Sequence, residues 1–212
     1  MRLCFKYNHL LDQCLLSKDT NPMGQLYPPL PVLPLVCAFS QYPAALDWVE
    51  ERARQYWGPV ALASPRFEFA ETNYYEATMG PGIRKCFWVF EQLADPGKLA
   101  EWKLLSNEWE EEFAREQPLA GLDPTVVRPV NIDPGYITTA KLVLASTKDH
   151  AHRIYLERGI FAEITLMYRH RAWESHEWTF PDYRRADYQT FFSAARTYLK
   201  TKLGRYSDPR RE

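Results

Sequence analysis

The chain has 212 residues, of which 46% are hydrophobic and 15% aromatic, enough apolar surface for one domain with an ample core. It contains 26 lysines and arginines and 27 aspartates and glutamates, which leaves a formal net charge of −1. Because this balance excludes a global basic field, we expect neither a nucleic acid partner nor an anionic membrane surface.

The cysteines, at positions 4, 14, 37 and 86, show neither CxxC spacing nor zinc-finger pairing with histidine. Cys37 lies in the apolar run PLVCAFS, which is typical of a buried reduced thiol. No apolar run is long enough to cross a bilayer, and Asp12 interrupts the apolar start that a signal peptide would need. We therefore expect a cytoplasmic protein with no membrane partner.

The sequence predicts three regions: a proline-rich N-terminal extension over 1–34, a single α+β domain over 35–204, and a short polar tail over 205–212. The tract YPPLPVLP (27–34) predicts extended, polyproline-like backbone. We interpret it as a linker into the first strand; its PxxP spacing leaves open a ligand for an SH3-like module.

The first half of the domain alternates strands and helices. Extended segments are predicted at 35–40, 60–69 and 86–93, and helices after Pro43 and after Asp95-Pro96. The second helix carries an aromatic stripe that predicts a core-facing side. The opposite side is predicted to be solvated and carries Lys103, Asn107, Glu110 and Glu111.

The second half predicts further strands and one final helix. Asp133-Pro134-Gly135-Tyr136 is typical of a type II turn, between strands at 126–132 and about 138–147. Glycine at the third position predicts a three-residue hairpin loop at 157–159. The final helix is predicted from Asp187 to Leu203.

Period two within this hairpin assigns its side chains to two faces. Arg153 faces Glu163 across the strands as an ion pair. The other face is wholly apolar and is predicted to be buried; it carries Ile154, Leu156, Ile160, Ala162, Ile164 and Leu166.

Together these elements predict an α+β fold, with a mixed or antiparallel sheet on which three main helices pack. The leading part fits a ferredoxin-like βαββαβ unit. No nucleotide-binding loop of the GxGxxG or GxxxxGK[ST] type occurs in the chain.

The stretch ASTKDHAHRIYLERGIFAE (145–163) gathers the most reactive side chains. His150 or His152 is the candidate general acid or base, and Lys148 and Arg153 are candidate anion binders. Other candidates at the same site are Asp149 and Asp133, the latter assigned to catalysis. A less favoured alternative is a metal ion held by both histidines, with Asp133 or Glu163 as third ligand. The remaining interpretation is that the segment is only a solvated connection between strands.

A second loop is predicted to reach the same site. Tyr74 and Tyr75 precede the segment GPGIRK (80–85), whose backbone N–H groups and Arg84 can hold an anion. We predict that this loop and the 148–153 segment share one concavity.

Five segments resemble a bacterial family known as domain of unknown function 4416, over roughly residues 35–203. They are NYYEATMGPG (73–82), KLLSNEWE (103–110), NIDPGYITTAKLVLASTKDHAHRIYL (131–156), GIFAEITLMYR (159–169) and WTFPDYR (178–184). The resemblance implies no activity, cofactor or partner that can be carried over to this chain.

The function that the residues favour is the binding of a small anionic ligand, bearing phosphate or carboxylate, in a polar pocket of either a binding protein or an enzyme. The alternatives are a protein-interaction module, which would use exposed aromatic surface, and, less favoured, RNA binding. The pocket requires the predicted polar residues to converge in one cleft, whereas an interaction module would scatter them over convex surface.

Overall fold

A computed structural model describes residues 27–116, 123 and 126–204. The described residues from Pro29 onward belong to one compact unit. The predicted division into extension, domain and tail stays a prediction, because most of the extension and the whole tail lie outside the described residues. None of the helices in the described ranges is both long and apolar enough to cross a membrane.

The strands in the described ranges form a single antiparallel sheet, and helices cover both of its faces. They are β1 (Leu33–Ser40), α1 (Pro43–Trp57), β2 (Val60–Ala63), β3 (Phe67–Glu68), α2 (Glu76–Met79), β4 (Arg84–Phe90), α3 (Leu99–Glu116), β5 (Asn131–Ile137), β6 (Lys141–Ser146), β7 (Ile154–Glu157), β8 (Ile160–Arg169), β9 (Ala172–Ser175) and α4 (Ala186–Leu203). Short 3-10 turns lie at Pro96–Lys98 and Pro181–Arg184. The predicted α+β class and its three main helices are confirmed.

The main path of the sheet is β2-β4-β1-β5-β6-β8-β7, with β3 on β4 and β9 on β8. With the two-residue β3 and the four-residue α2 set aside, the chain from β1 to β5 runs strand, helix, strand, strand, helix, strand. Its pairs β2–β4, β4–β1 and β1–β5 are antiparallel, as a split β-α-β arrangement requires. The ferredoxin-like assignment of this half stays a prediction.

The sheet separates two hydrophobic clusters, one on each face. Val36 and Ala38 of β1 pack with α1 and α3, whereas Leu35, Cys37 and Phe39 pack with α4. All eight residues of β1 are buried, because both faces of this central strand are covered. The strand also begins at Leu33, two residues earlier than predicted.

The type II turn predicted at Asp133-Pro134-Gly135-Tyr136 is wrong, because these four residues lie inside β5. Pro134 pairs with Val36 of β1 and has no partner residue in β6, so its missing N–H interrupts no bond between β5 and β6. The chain reverses instead at 138–141, where the Thr138 N–H donates to the Lys141 carbonyl at 2.8 Å.

The predicted three-residue hairpin loop is also wrong. Glu157 pairs with Ile160, so Arg158 and Gly159 alone form the turn, with φ of 47° and 76°. Two positive φ values are those of a type I′ turn, which matches the twist of the strands. The predicted pairing of Tyr155 with Phe161 and the positive φ at Gly159 are confirmed.

The predicted apolar face of the hairpin is buried only in part. Ile154 is 72% exposed and Leu156 and Ile164 are also exposed, while Glu163 and Thr165 are buried. β7 lies at the end of the strand path, and an extra residue in β8 opposite Leu142 and Val143 shifts the alternation. Ile160 and Leu166 are buried as expected.

This exposure predicts that Ile154→Ser changes the free energy of unfolding by less than about 0.5 kcal/mol. The reason is that the isoleucine side chain gives up little contact with water when the protein folds. Urea denaturation followed by tryptophan fluorescence measures the change. A loss of about 2 kcal/mol, as for a buried isoleucine, would contradict the exposed position.

Candidate ligand-binding site

The sheet splits between β5 and β6. These strands pair only from Gly135 to Ile137, against Leu142 to Leu144. Before Gly135, β5 continues along β1, and beyond Leu144, β6 continues along β8. The two strands therefore separate toward the start of β5 and the end of β6, which opens a gap in the sheet.

Side chains of α3 take the place of β6 along the open edge of β5. The Ile132 N–H donates to Glu110 Oε1 at 2.7 Å, and the Ile132 carbonyl accepts from Lys103 Nζ at 2.7 Å. Lys103 Nζ also donates to Asp133 Oδ1 at 2.9 Å. Glu110 in turn accepts from Arg128 Nη2 at 2.7 Å.

The predicted solvated face of α3 is therefore wrong for Lys103, which is 4% exposed, and for Glu110, whose side chain is 12% exposed. Both are buried because they satisfy strand backbone that has lost its neighbouring strand. Asn107, one turn after Lys103, lies on the same face of α3 and faces the gap.

A cavity of about 630 Å³ occupies this gap. One wall comes from α3 and the start of β5, and the other from the end of β6 and the segment leading to β7. Asp133 shares the face of its partner Cys37, which is the face that α4 covers. The loop residues Tyr74, Tyr75 and Phe180 border the cavity as well.

The aromatic wall of the cavity holds a buried ion pair. Lys85 Nζ donates to Asp182 Oδ2 at 2.5 Å, and both side chains are at most 5% exposed. Five aromatic rings surround the ammonium within 6.0 Å, and Tyr183 is nearest at 4.3 Å. Burial lowers the pKa of an amine, but the Asp182 carboxylate outweighs it and keeps the pKa of Lys85 above its usual value.

The wall beside β6 is organised around Glu163, which is 3% exposed. Its carboxylate accepts from Arg153 Nε at 2.8 Å and from Thr165 Oγ1 at 3.2 Å, and lies 3.2 Å from His152 Nε2. Arg153 also donates to the Ser146 hydroxyl and to the Lys148 carbonyl. The predicted Arg153–Glu163 contact is present, as a buried network that fixes this wall.

These contacts and the burial of the walls determine which of their side chains carry a proton at neutral pH. Desolvation raises the pKa of the Asp133 carboxyl, but the Lys103 and Lys85 ammoniums and the Asn131 amide together hold that pKa below its usual value. Burial raises the pKa of Tyr75 to about 12. Asp133 is therefore an ionised hydrogen-bond acceptor at neutral pH, and Tyr75 keeps its proton.

Among the described residues, no group of three or more His, Cys, Asp and Glu side chains is arranged to hold a metal ion. The rings of His150 and His152 stack at 5.8 Å, with an interplanar angle of 20°. His152 stacks on Trp178 as well, at 5.3 Å. The two rings therefore stack on each other and do not converge on one point.

The sequence was compared with protein families, with curated proteins and with solved structures. The sequence profile of the family described as "Domain of unknown function (DUF4416)" matches residues 31–198. The chain belongs to the DUF4416 family. No curated protein and no solved structure matches significantly.

Each of the five segments that carry the DUF4416 resemblance contributes lining residues to the cavity. Six of the predicted site residues line it: Tyr74, Tyr75, Asp133, Lys148, His150 and Arg153. His152 lies behind Glu163 and is not part of the lining. Asp149 is exposed outside the lining.

Arg84 is an exposed residue at the start of β4 and does not line the cavity. Because neighbouring side chains of a strand point to opposite faces, Lys85 occupies the place that Arg84 was predicted to fill.

Sequence reasoning missed several lining residues of the DUF4416 chain: Lys85, Lys103, Asn107, Arg128 and Asp182. One signal was available, since Lys103, Asn107 and Glu110 recur at helical spacing on one side of α3. The contact between Lys85 and Asp182 joins residues 97 positions apart, and no local pattern indicates it.

Proposed function

We propose that the protein binds a small anionic ligand, bearing phosphate or carboxylate, in the cavity between β5 and β6. The observation that supports this most is Lys148. It lines the cavity, it is exposed, and within the described ranges its ammonium has no carboxylate partner. Its ammonium lies 5.2 Å from the centroid of the Tyr74 ring.

The other cations of the lining already have partners. Lys85 pairs with Asp182, Lys103 with Asp133, Arg153 with Glu163, and Arg128 with Glu110. The lining holds five lysines and arginines against four aspartates and glutamates. Glu110 lies outside the lining, and the fourth acid of the lining, Glu71, pairs with Arg185, so the unpaired positive charge is that of Lys148. A ligand anion at Lys148 gains a charge-assisted hydrogen bond without breaking a pair.

A titration with inorganic phosphate, followed by calorimetry, tests this proposal. We expect Lys148→Ala to weaken phosphate binding about tenfold or more, the effect of one lost charge-assisted hydrogen bond. The matched control is Lys200→Ala, which removes an exposed lysine of α4 outside the lining and should leave the affinity unchanged. No phosphate binding, or equal loss in both variants, would contradict the proposal.

If the protein acts on its ligand, His150 is the group we assign as general acid or base, because it lies in the cavity lining beside Lys148. His152 would act through Glu163 and hold the wall in place. We also propose that the protein acts in the cytoplasm of a bacterium, which is supported by Cys37 and Cys86 as free, buried thiols.

A second candidate, a protein-interaction module, is favoured by the exposed apolar side chains at the edge strand. Ile154 and Tyr155 of β7 are 72% and 58% exposed, and Trp178, whose indole N–H donates to the Ile164 carbonyl of β8 at 3.4 Å, is 42% exposed. Exposed apolar side chains at a sheet edge are typical of interaction sites. RNA binding gains no comparable support, since the basic groups of the cavity are mostly paired.

A further inference from the structure

The wall opposite Lys148 indicates which chemical groups the ligand carries besides its anionic group. This inference rests on the proposed anion site and concerns the groups that face Asp133, Asn131 and Asn107. We infer that the ligand is a polyhydroxylated anion, a sugar phosphate or sugar acid, with its hydroxyl groups on this wall and its anionic group at Lys148.

Asp133 offers the ligand free hydrogen-bond acceptor positions. Its side chain is 31% exposed, toward the cavity, and its two oxygens each accept one hydrogen bond, from Lys103 and from Asn131. A carboxylate oxygen accepts two hydrogen bonds, so each oxygen retains a free acceptor position. An ionised carboxylate repels an anion, so the ligand must present hydrogen-bond donors here and its own charge elsewhere.

The donors must be neutral. Lys103 Nζ lies 2.9 Å from Asp133 Oδ1, and Arg128 lines the same wall. A ligand ammonium at Asp133 would approach both of these cations, whereas a hydroxyl group donates to the carboxylate at no such electrostatic cost.

Asn107 supplies the second polar group of this wall. In the part of the chain that the structure describes, its side-chain amide has no hydrogen-bond partner, although it lines the cavity. An amide both donates and accepts, as a hydroxyl group does, so the two match in either direction. Asn107 lies one helical turn from Lys103 on the same side of α3, and it lines the cavity together with Asp133.

The size and the remaining walls fit the same class. A cavity of about 630 Å³ is within the range of small-molecule sites and is much larger than a bare phosphate needs. Phe39, Phe69 and Tyr75 offer ring surface, on which the C–H groups of a sugar pack. An anion bound at Lys148 alone would leave most of the lining residues without a contact to the ligand.

Calorimetric titration with four probes tests the inference: inorganic phosphate, ribose 5-phosphate, glucose 6-phosphate and ribose. We expect at least one sugar phosphate to bind about tenfold more tightly than inorganic phosphate, the effect of one or more added hydrogen bonds. Asn107→Ala should remove most of this difference and leave the affinity for inorganic phosphate unchanged.

Two further variants complete the design. Gln55→Ala removes an exposed amide of α1 and should leave every affinity unchanged. Asp133→Asn should also reduce the preference for sugar phosphates; because it breaks a buried pair, it is interpreted only if its thermal unfolding is cooperative.

The outcomes separate this inference from the proposed function. Sugar phosphates that bind no more tightly than inorganic phosphate, or a preference that survives Asn107→Ala, would overturn the inference and leave the anion site standing. Failure of all anionic probes to bind would overturn both.

Discussion

Asp182→Asn is expected to lower the free energy of unfolding by about 3–5 kcal/mol, the typical cost of removing one member of a buried ion pair. Asp182 is the carboxylate that neutralises Lys85, and both residues are at most 4% exposed. The variant keeps the size of the side chain and removes its charge. The Lys85 ammonium would then stay buried among aromatic rings with no carboxylate partner, since cation–π contacts alone offset only part of its desolvation.

Urea denaturation measures this change, and a surface aspartate supplies the matched control. Asp47→Asn removes a charge that pairs with Arg66 at the surface, where the Asp47 side chain is 63% exposed. We expect this control to cost less than about 1 kcal/mol. The double variant Lys85→Met/Asp182→Asn removes both charges of this pair and should be more stable than Asp182→Asn. Equal losses for Asp182→Asn and Asp47→Asn would show that Lys85 is not held in a buried pair.

Gly135→Ala is expected to cost about 3 kcal/mol or more, because β5 and β6 have no space for a methyl group between them. A Cβ atom on Gly135 would lie 2.3 Å from the Val143 carbonyl oxygen and 2.6 Å from Leu144 Cδ2. The first of these neighbours is backbone, so it can move only with the strand. Gly135 also begins the short stretch where β5 and β6 still pair, so the substitution should widen the split.

The control for this variant is Gly204→Ala at the end of α4. A Cβ there meets neighbours at 3.6 Å, and the backbone φ of −59° suits alanine. We expect a change within about 0.5 kcal/mol, measured in the same denaturation experiment. A Gly135→Ala protein as stable as Gly204→Ala would contradict the close approach of the two strands.

Local patterns were sufficient to predict most elements of the fold. Pro43 and Gly58 delimit α1, and the Asp95 side chain caps the turn before α3 by accepting from the Gly97 N–H. These signals act within a few residues, so they can be read in a single sequence.

The wrong predictions concern positions whose structure is set by contacts with residues far away in the sequence. Pro134-Gly135 looks like a turn, but pairing with Val36 and Leu35, about 100 positions away, makes it part of a strand. The pairing of Glu163 with Arg153 was predicted but its burial was not, because nothing near Glu163 in sequence indicates the bulge in β8 that shifts the alternation of its side chains.

The candidate site was predictable only in part, for the same reason. The density of Lys148, His150 and Arg153 before a strand drew attention to residues that line one wall of the cavity. The opposite wall depends on α3 meeting the open edge of β5, and charged residues on a helix normally face water. Lys103 faces the cavity because β6 leaves β5, a consequence of sheet geometry that the helix sequence does not carry.

A crystal structure grown with ribose 5-phosphate decides whether the gap between β5 and β6 is a ligand site. We expect the phosphate group within about 3 Å of Lys148 Nζ and sugar hydroxyl groups at Asp133 and Asn107. A sugar phosphate bound at another surface, with the cavity filled only by water, would rule out a ligand site in this gap.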